Sequence, residues 1–142
     1  MATEGDWYAP SQFRKVALAP VLVIPPPTQD VGQGIILTTL AYQPITPQAA
    51  FLFLFDRDTP VPDGYQVANN PDPQDDGIML PEVSTIVDGF PIGAVYIWPA
   101  PGIVFRRGLC VQVGTIDNYP PGTFKSVSGV AGIISAAYLI GD

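Results

Sequence analysis

Residues 49–55, Ala-Ala-Phe-Leu-Phe-Leu-Phe, set Phe51, Phe53 and Phe55 at alternate positions, which a strand of period two brings to one face. That face is expected in the main core. The interleaved leucines are as apolar as the phenylalanines. A strand here must therefore be covered on both sides, in the middle of a sandwich or at a subunit interface, and Leu52 and Leu54 are candidate interface residues.

The same pattern predicts a strand over 12–24, alternating at first and then continuously apolar, with an edge or bulge at Pro20. Pro25, Pro26 and Pro27 end it as a stiff spacer. Further strands are expected at 34–42, 77–80, 92–98, 102–106 with 109–113, and 129–140, with a brief one at 65–68. Breaks fall at Pro99-Ala100-Pro101-Gly102 and Arg106-Arg107-Gly108, and 117–122 reads as a loop. The last segment tolerates a helix, but Gly129, Gly132 and its β-branched residues favour a strand. Residues 56–77, rich in aspartate and turn formers, read as a long exposed loop.

Short strands at this spacing predict an all-β fold, an antiparallel β-sandwich of jelly-roll-like kind. Residues 12–142 form its single domain and residues 1–11 an extended N-terminal arm. Trp7 and Tyr8 are the arm's only large apolar anchors, expected to dock on a neighbouring subunit.

Composition sharpens this picture. The chain holds 17 prolines and 14 glycines among 142 residues, which leaves little room for a helix. Only 13% of residues are charged and 47% are apolar. That is about half the usual charged fraction, too little polar surface to coat a monomer, so a partner is expected to cover part of it. A net charge of −7 with six basic residues argues against a nucleic-acid partner. The longest apolar run, 127–140, falls short of the ~20 residues a membrane helix needs. The acidic start lacks the basic and apolar segments of a signal peptide, so the protein is expected to be made and used without secretion.

Little chemistry is on offer. The chain has no histidine, and its one cysteine, Cys110, sits in an apolar run as a small strand hydrophobe. Asp72, Asp75 and Asp76 could gather around calcium, but their spacing misses the EF-hand template and such residues dominate ordinary turns. Asp56 and Asp58 share a strand face without a further carboxylate to work with. Gly32 and Gly34 lack the third glycine and the following helix of a phosphate loop. No enzyme activity, cofactor or metal is expected. Arg106 and Arg107 are a solvated hairpin corner or an interface pair for a carboxylate, and Trp98 a core lid or an interface anchor.

Residues 48–140 resemble small structural proteins of tailed bacteriophage virions. The likeness is carried by residues 51–56 with Pro60 and Pro62, by residues 101–113, and by Ala136, Ala137, Tyr138 and Leu139. It implies a virion component made in the host cytoplasm, a capsid cement or decoration protein or a tail component. Such a protein self-associates, as a trimer by analogy with cement proteins at threefold positions, and clamps neighbouring subunits of the major capsid protein. The alternative is a receptor- or glycan-binding domain of a phage tail or head fibre, in which Trp98, Tyr65 or Tyr119 would stack on a sugar.

Overall fold

The computed structural model describes residues 12–18, 20–27, 33–45, 50–67, 78–80, 85–87, 90–118, 121–127 and 132–141. Among these every regular element is a strand: β1 (Phe13–Leu18), β2 (Val21–Ile24), β3 (Gly34–Pro44), β4 (Phe51–Phe55), β5 (Ile78–Met79), β6 (Thr85–Val87), β7 (Phe90–Ile92), β8 (Ala94–Ile97), β9 (Ile103–Phe105), β10 (Leu109–Asn118), β11 (Pro121–Ser126) and β12 (Gly132–Gly141). The arm with Trp7 and Tyr8, Tyr119, and the acidic stretch 68–77 lie outside the described residues.

Two antiparallel five-stranded sheets pack face to face as the expected β-sandwich. Sheet A runs β1-β12-β3-β8 with β9 also on β3, and sheet B runs β11-β10-β4-β5 with β2 also on β10; β6 and β7 form a small separate hairpin.

Each sheet is built on one long strand, one edge of which is shared by two short ones. Along β3 the partner changes from β9, at Ile35 to Leu37, to β8, at Thr39 to Tyr42. The change falls at Thr38, whose carbonyl accepts the Trp98 N–H at 3.0 Å. Along β10 the partner changes from β2 to β11 around Val113, whose N–H donates to the Pro20 carbonyl at 2.9 Å. Prolines stand at both hand-overs, where the ladder is interrupted and a missing N–H breaks no pairing. Gly102 sits at φ +105°, and a Cβ there would come within 2.5 Å of the Leu37 carbonyl oxygen, so the turn into β9 needs glycine.

The apolar run at 12–24 is thus not one bulged strand. It is two strands, β1 forming the edge of sheet A and β2, after Pro20, joining sheet B. The last segment is a strand, paired on both edges, with β1 on one side and β3 on the other. The region read as a loop at 117–122 is instead a hairpin, because β10 continues to Asn118 and β11 starts at Pro121, with Gly122 at φ +76°. Proline is tolerated there as the first residue of its strand.

The space between the sheets is aliphatic. Leu22, Ile35, Leu37, Leu40, Leu52, Leu54, Leu109, Val111, Val113 and Ile134 are buried together, with Phe105 and Tyr42 as the large rings. The expected orientation of β4 is therefore reversed: Leu52 and Leu54 point into the inter-sheet core, and Phe53 and Phe55 point away from it.

Candidate assembly surface

The outward faces of the two sheets are treated differently, and the difference defines the candidate site. On sheet B the outward residues Phe53, Phe55, Cys110 and Phe124 are buried beneath residues 56–67 of the same chain. Phe124 meets Phe53 edge-on at 5.2 Å between ring centroids, and Tyr65 meets Phe55 edge-on at 5.7 Å, geometries that suit aromatic quadrupoles.

Backbone bonds fasten this cover. The Gly64 N–H donates to the Phe124 carbonyl at 2.8 Å, the Phe124 N–H to the Tyr65 carbonyl at 2.8 Å, and the Val67 N–H to the Gly122 carbonyl at 3.0 Å. Beneath the cover Gln112 is buried. Its Oε1 accepts the Val61 N–H at 2.8 Å and its Nε2 donates to the Val61 carbonyl at 3.1 Å, so one amide satisfies both polar groups of a buried residue. The Cys110 thiol also donates to Gln112 Oε1, at 3.4 Å. Burial pushes that thiol up to about 12, which leaves no thiolate at neutral pH.

Two aspartates of the expected acidic loop serve as clasps. Asp56 Oδ1 accepts the Arg107 N–H at 2.7 Å, tying the end of β4 to the turn before β10. Asp63 Oδ1 accepts both the N–H and the hydroxyl of Ser126, each at 2.9 Å. The Ser126 N–H, then its hydroxyl, hold the Asp63 carboxyl below its ordinary value, and the Lys125 charge adds to them. A depressed folded-state pKa stabilises above the unfolded carboxylate pKa and loses that contribution as pH falls through the folded value. The stability difference between the wild type and Asp63→Ala, measured by urea unfolding, is expected to be constant near neutrality and to vanish in acid. A difference that persists unchanged into acid would show that the carboxylate is not the clasp.

Sheet A has no such cover among the described residues. Directly paired residues of antiparallel strands share a face, so the register reads its outer surface in rows from β1 to β8. One row is Leu18, Ile133 and Gln43; the next is Val16, Ser135, Ala41 and Val95; the third is Arg14, Ala137, Thr39 and Ile97. Past the bulge at Ala137 and Tyr138 come Leu139, Ile36 and Val104. The outer strands carry the prominent side chains: Ile97 is 75% exposed, Val95 64%, Leu18 61% and Val16 57%. Between these ridges lies a hollow of about 340 Å³ at Ala41, Gly93 and Ser135. A Cβ on Gly93 would run into the Tyr42 carbonyl, so no side chain fills the hollow from that position.

Of these rows' residues only Arg14, on the edge strand, is charged, and none of the 13 acidic residues is among them. This apolar, almost uncharged face is the candidate site.

The structure places the sequence-derived candidates elsewhere. Leu52 and Leu54 are fully buried inside the chain and present nothing to a partner, which corrects their reading as interface residues. The reason is that β4 is a central strand of sheet B, covered by sheet A on one side and by residues 56–67 on the other. Trp98 is half-buried against the inter-sheet core and stacks on Tyr96 at 6.3 Å. Arg106 and Arg107 are exposed in the turn between β9 and β10. Sequence reasoning missed Val16, Leu18, Val95 and Ile97, whose strands are apolar at both parities and so hide which residues face out.

A second concavity, of about 490 Å³, opens at one end of the sandwich between Phe13, Tyr138 and Ile140 on one side and Pro25, Pro26 and Pro27 on the other. Among the described residues no group of three or more His, Cys, Asp or Glu side chains could hold a metal ion, and no helix is long and apolar enough to cross a membrane.

Comparison of the chain with protein-family models, with curated proteins and with solved structures finds no match.

Proposed function

We propose that the protein is a structural component of a tailed-phage virion, a capsid cement or decoration protein that self-associates and clamps neighbouring capsid subunits, and that the outer face of sheet A is its assembly surface. The observation that carries the reading is that apolar, almost uncharged sheet face on a chain that seals the corresponding face of sheet B with its own residues 56–67. A chain able to cover one apolar sheet face and leaving another open has an intermolecular use for the open one. The resemblance of residues 48–140 to small virion proteins supplies the setting.

The glycan-binding alternative draws less support. Tyr65 is engaged edge-on with Phe55, and Trp98 lies against the inter-sheet core stacked on Tyr96, so neither ring is a fully open stacking platform.

Co-sedimentation with purified capsids, and mass spectrometry of purified particles, test the proposal. Stoichiometric incorporation is expected. Absence from particles, combined with binding of the isolated domain on a glycan array, would replace this reading with the alternative.

A further inference from the structure

We infer that the occupant of the outer face of sheet A is the same face of a second copy, in a twofold dimer in which the Val95 and Ile97 ridge of each chain seats in the hollow at Ala41, Gly93 and Ser135 of the other. This deepens the proposed function and rests on it in taking that face as the assembly surface.

Three observations point to a second copy rather than a different partner. The first is charge. In a chain of net charge −7, most faces of two copies repel, but these rows hold no carboxylate, and their one cation, Arg14, stands on the edge strand. The uncharged face is thus where two copies approach at least electrostatic cost.

The second is relief. The prominent side chains are Val16 and Leu18 on β1 and Val95 and Ile97 on β8, while the strands between them present Ser135, Ala137, Thr39 and Ala41. A face bearing both ridge and hollow is self-complementary. A twofold axis pairs ridge with hollow and hollow with ridge, as an isologous interface requires. Sheets packed about 10 Å apart interdigitate their side chains in this way.

The third is size. Four strands spaced ~4.8 Å apart, with outward rows ~6.8 Å apart along them, give a face of about 500 Å² in projection. Side-chain relief raises its accessible area toward the roughly 800 Å² per partner of a standard stable interface. A threefold ring would need the face to meet a different surface of its neighbour, and among the described residues sheet B offers no apolar counterpart, its outward phenylalanines being already covered.

The test is native mass spectrometry with light scattering on the full chain, from about 1 to about 100 µM, for the wild type, Ile97→Lys and Val16→Lys. Both substituted side chains are exposed, so each variant is expected to keep the wild-type near-UV circular dichroism; two positions on opposite ridges guard against one variant failing to fold. The wild type is expected to be a dimer. Ile97→Lys enters the interface twice by symmetry and is expected to raise the dimer dissociation constant about a hundredfold or more. A trimer, a wild type that stays monomeric throughout, or a dimer that both variants leave intact would overturn the inference. A monomer that nonetheless co-sediments with capsids would remove the twofold and keep the virion reading. A dimer that enters no particle would do the reverse.

Discussion

Leu54→Asp is expected to leave no folded protein. Leu54 is fully buried in the inter-sheet core, on a strand paired with β10 on one edge and β5 on the other. The substitution removes an apolar side chain whose truncation alone costs about 2–5 kcal/mol, and it places a carboxylate where no partner can reach it, at a further cost of several kcal/mol. Against a total stability of about 5–15 kcal/mol for a domain, that is enough to unfold it. Far-UV circular dichroism of the purified or refolded variant checks this. A folded monomeric Leu54→Asp would mean that the leucine face of β4 meets a partner rather than sheet A.

Gln112→Leu is expected to lower the melting temperature by about 10 °C and to free residues 56–67 before the rest unfolds. The Gln112 amide is the partner of both the N–H and the carbonyl of Val61, and Val61 is buried under the same cover as Phe53 and Phe55. Leucine fills the volume but bonds to neither group. A buried polar group left without a partner costs about 1–3 kcal/mol, and two are left here. For a domain of this size each kcal/mol shifts the midpoint by about 3–5 °C. Differential scanning calorimetry reads the first effect. Limited proteolysis reads the second, as cleavage within 56–67 at temperatures where the sheets remain intact. A midpoint within about 2 °C of the wild type would show that Gln112 is not what holds the cover down.

The all-β class was legible because prolines interrupt the chain repeatedly and the stretches between them are rich in glycine, β-branched and aromatic residues. The strands expected at 34–42, 51–55, 109–113 and 129–140 follow from that pattern. Parity did not follow. In β4 both alternating sets are apolar, so nothing in Phe51 to Phe55 tells which set faces the other sheet, and period two is silent when both faces are dry. The expected two-sided burial is real, but its outer half is supplied by the chain's own residues 56–67.

That cover was read as an exposed acidic loop because its apolar members, Val61, Tyr65 and Val67, have no period and are outnumbered by turn formers. What fixes it includes a side-chain amide 51 residues away in sequence and backbone bonds to β11, and such pairings leave no local signal. The candidate surface was missed for a related reason. Val95 and Ile97 alternate with Tyr96 and Trp98, which pack on the core, and composition alone does not say which pair stays outside. The shortage of charge did signal exposed apolar surface, but the register of β1, β12, β3 and β8 was needed to place it.

In the proposed assembly, copies meet through sheet A while the phenylalanine face of sheet B is sealed within each chain. Hydroxyl-radical footprinting of the wild type, concentrated and then diluted below the assembly midpoint, tests it most directly. Val16, Leu18, Val95 and Ile97 are expected to gain labelling on dilution while Phe53, Phe55 and Phe124 stay protected at both concentrations. Phenylalanines that become labelled on dilution, with the sheet A residues equally labelled throughout, would contradict it.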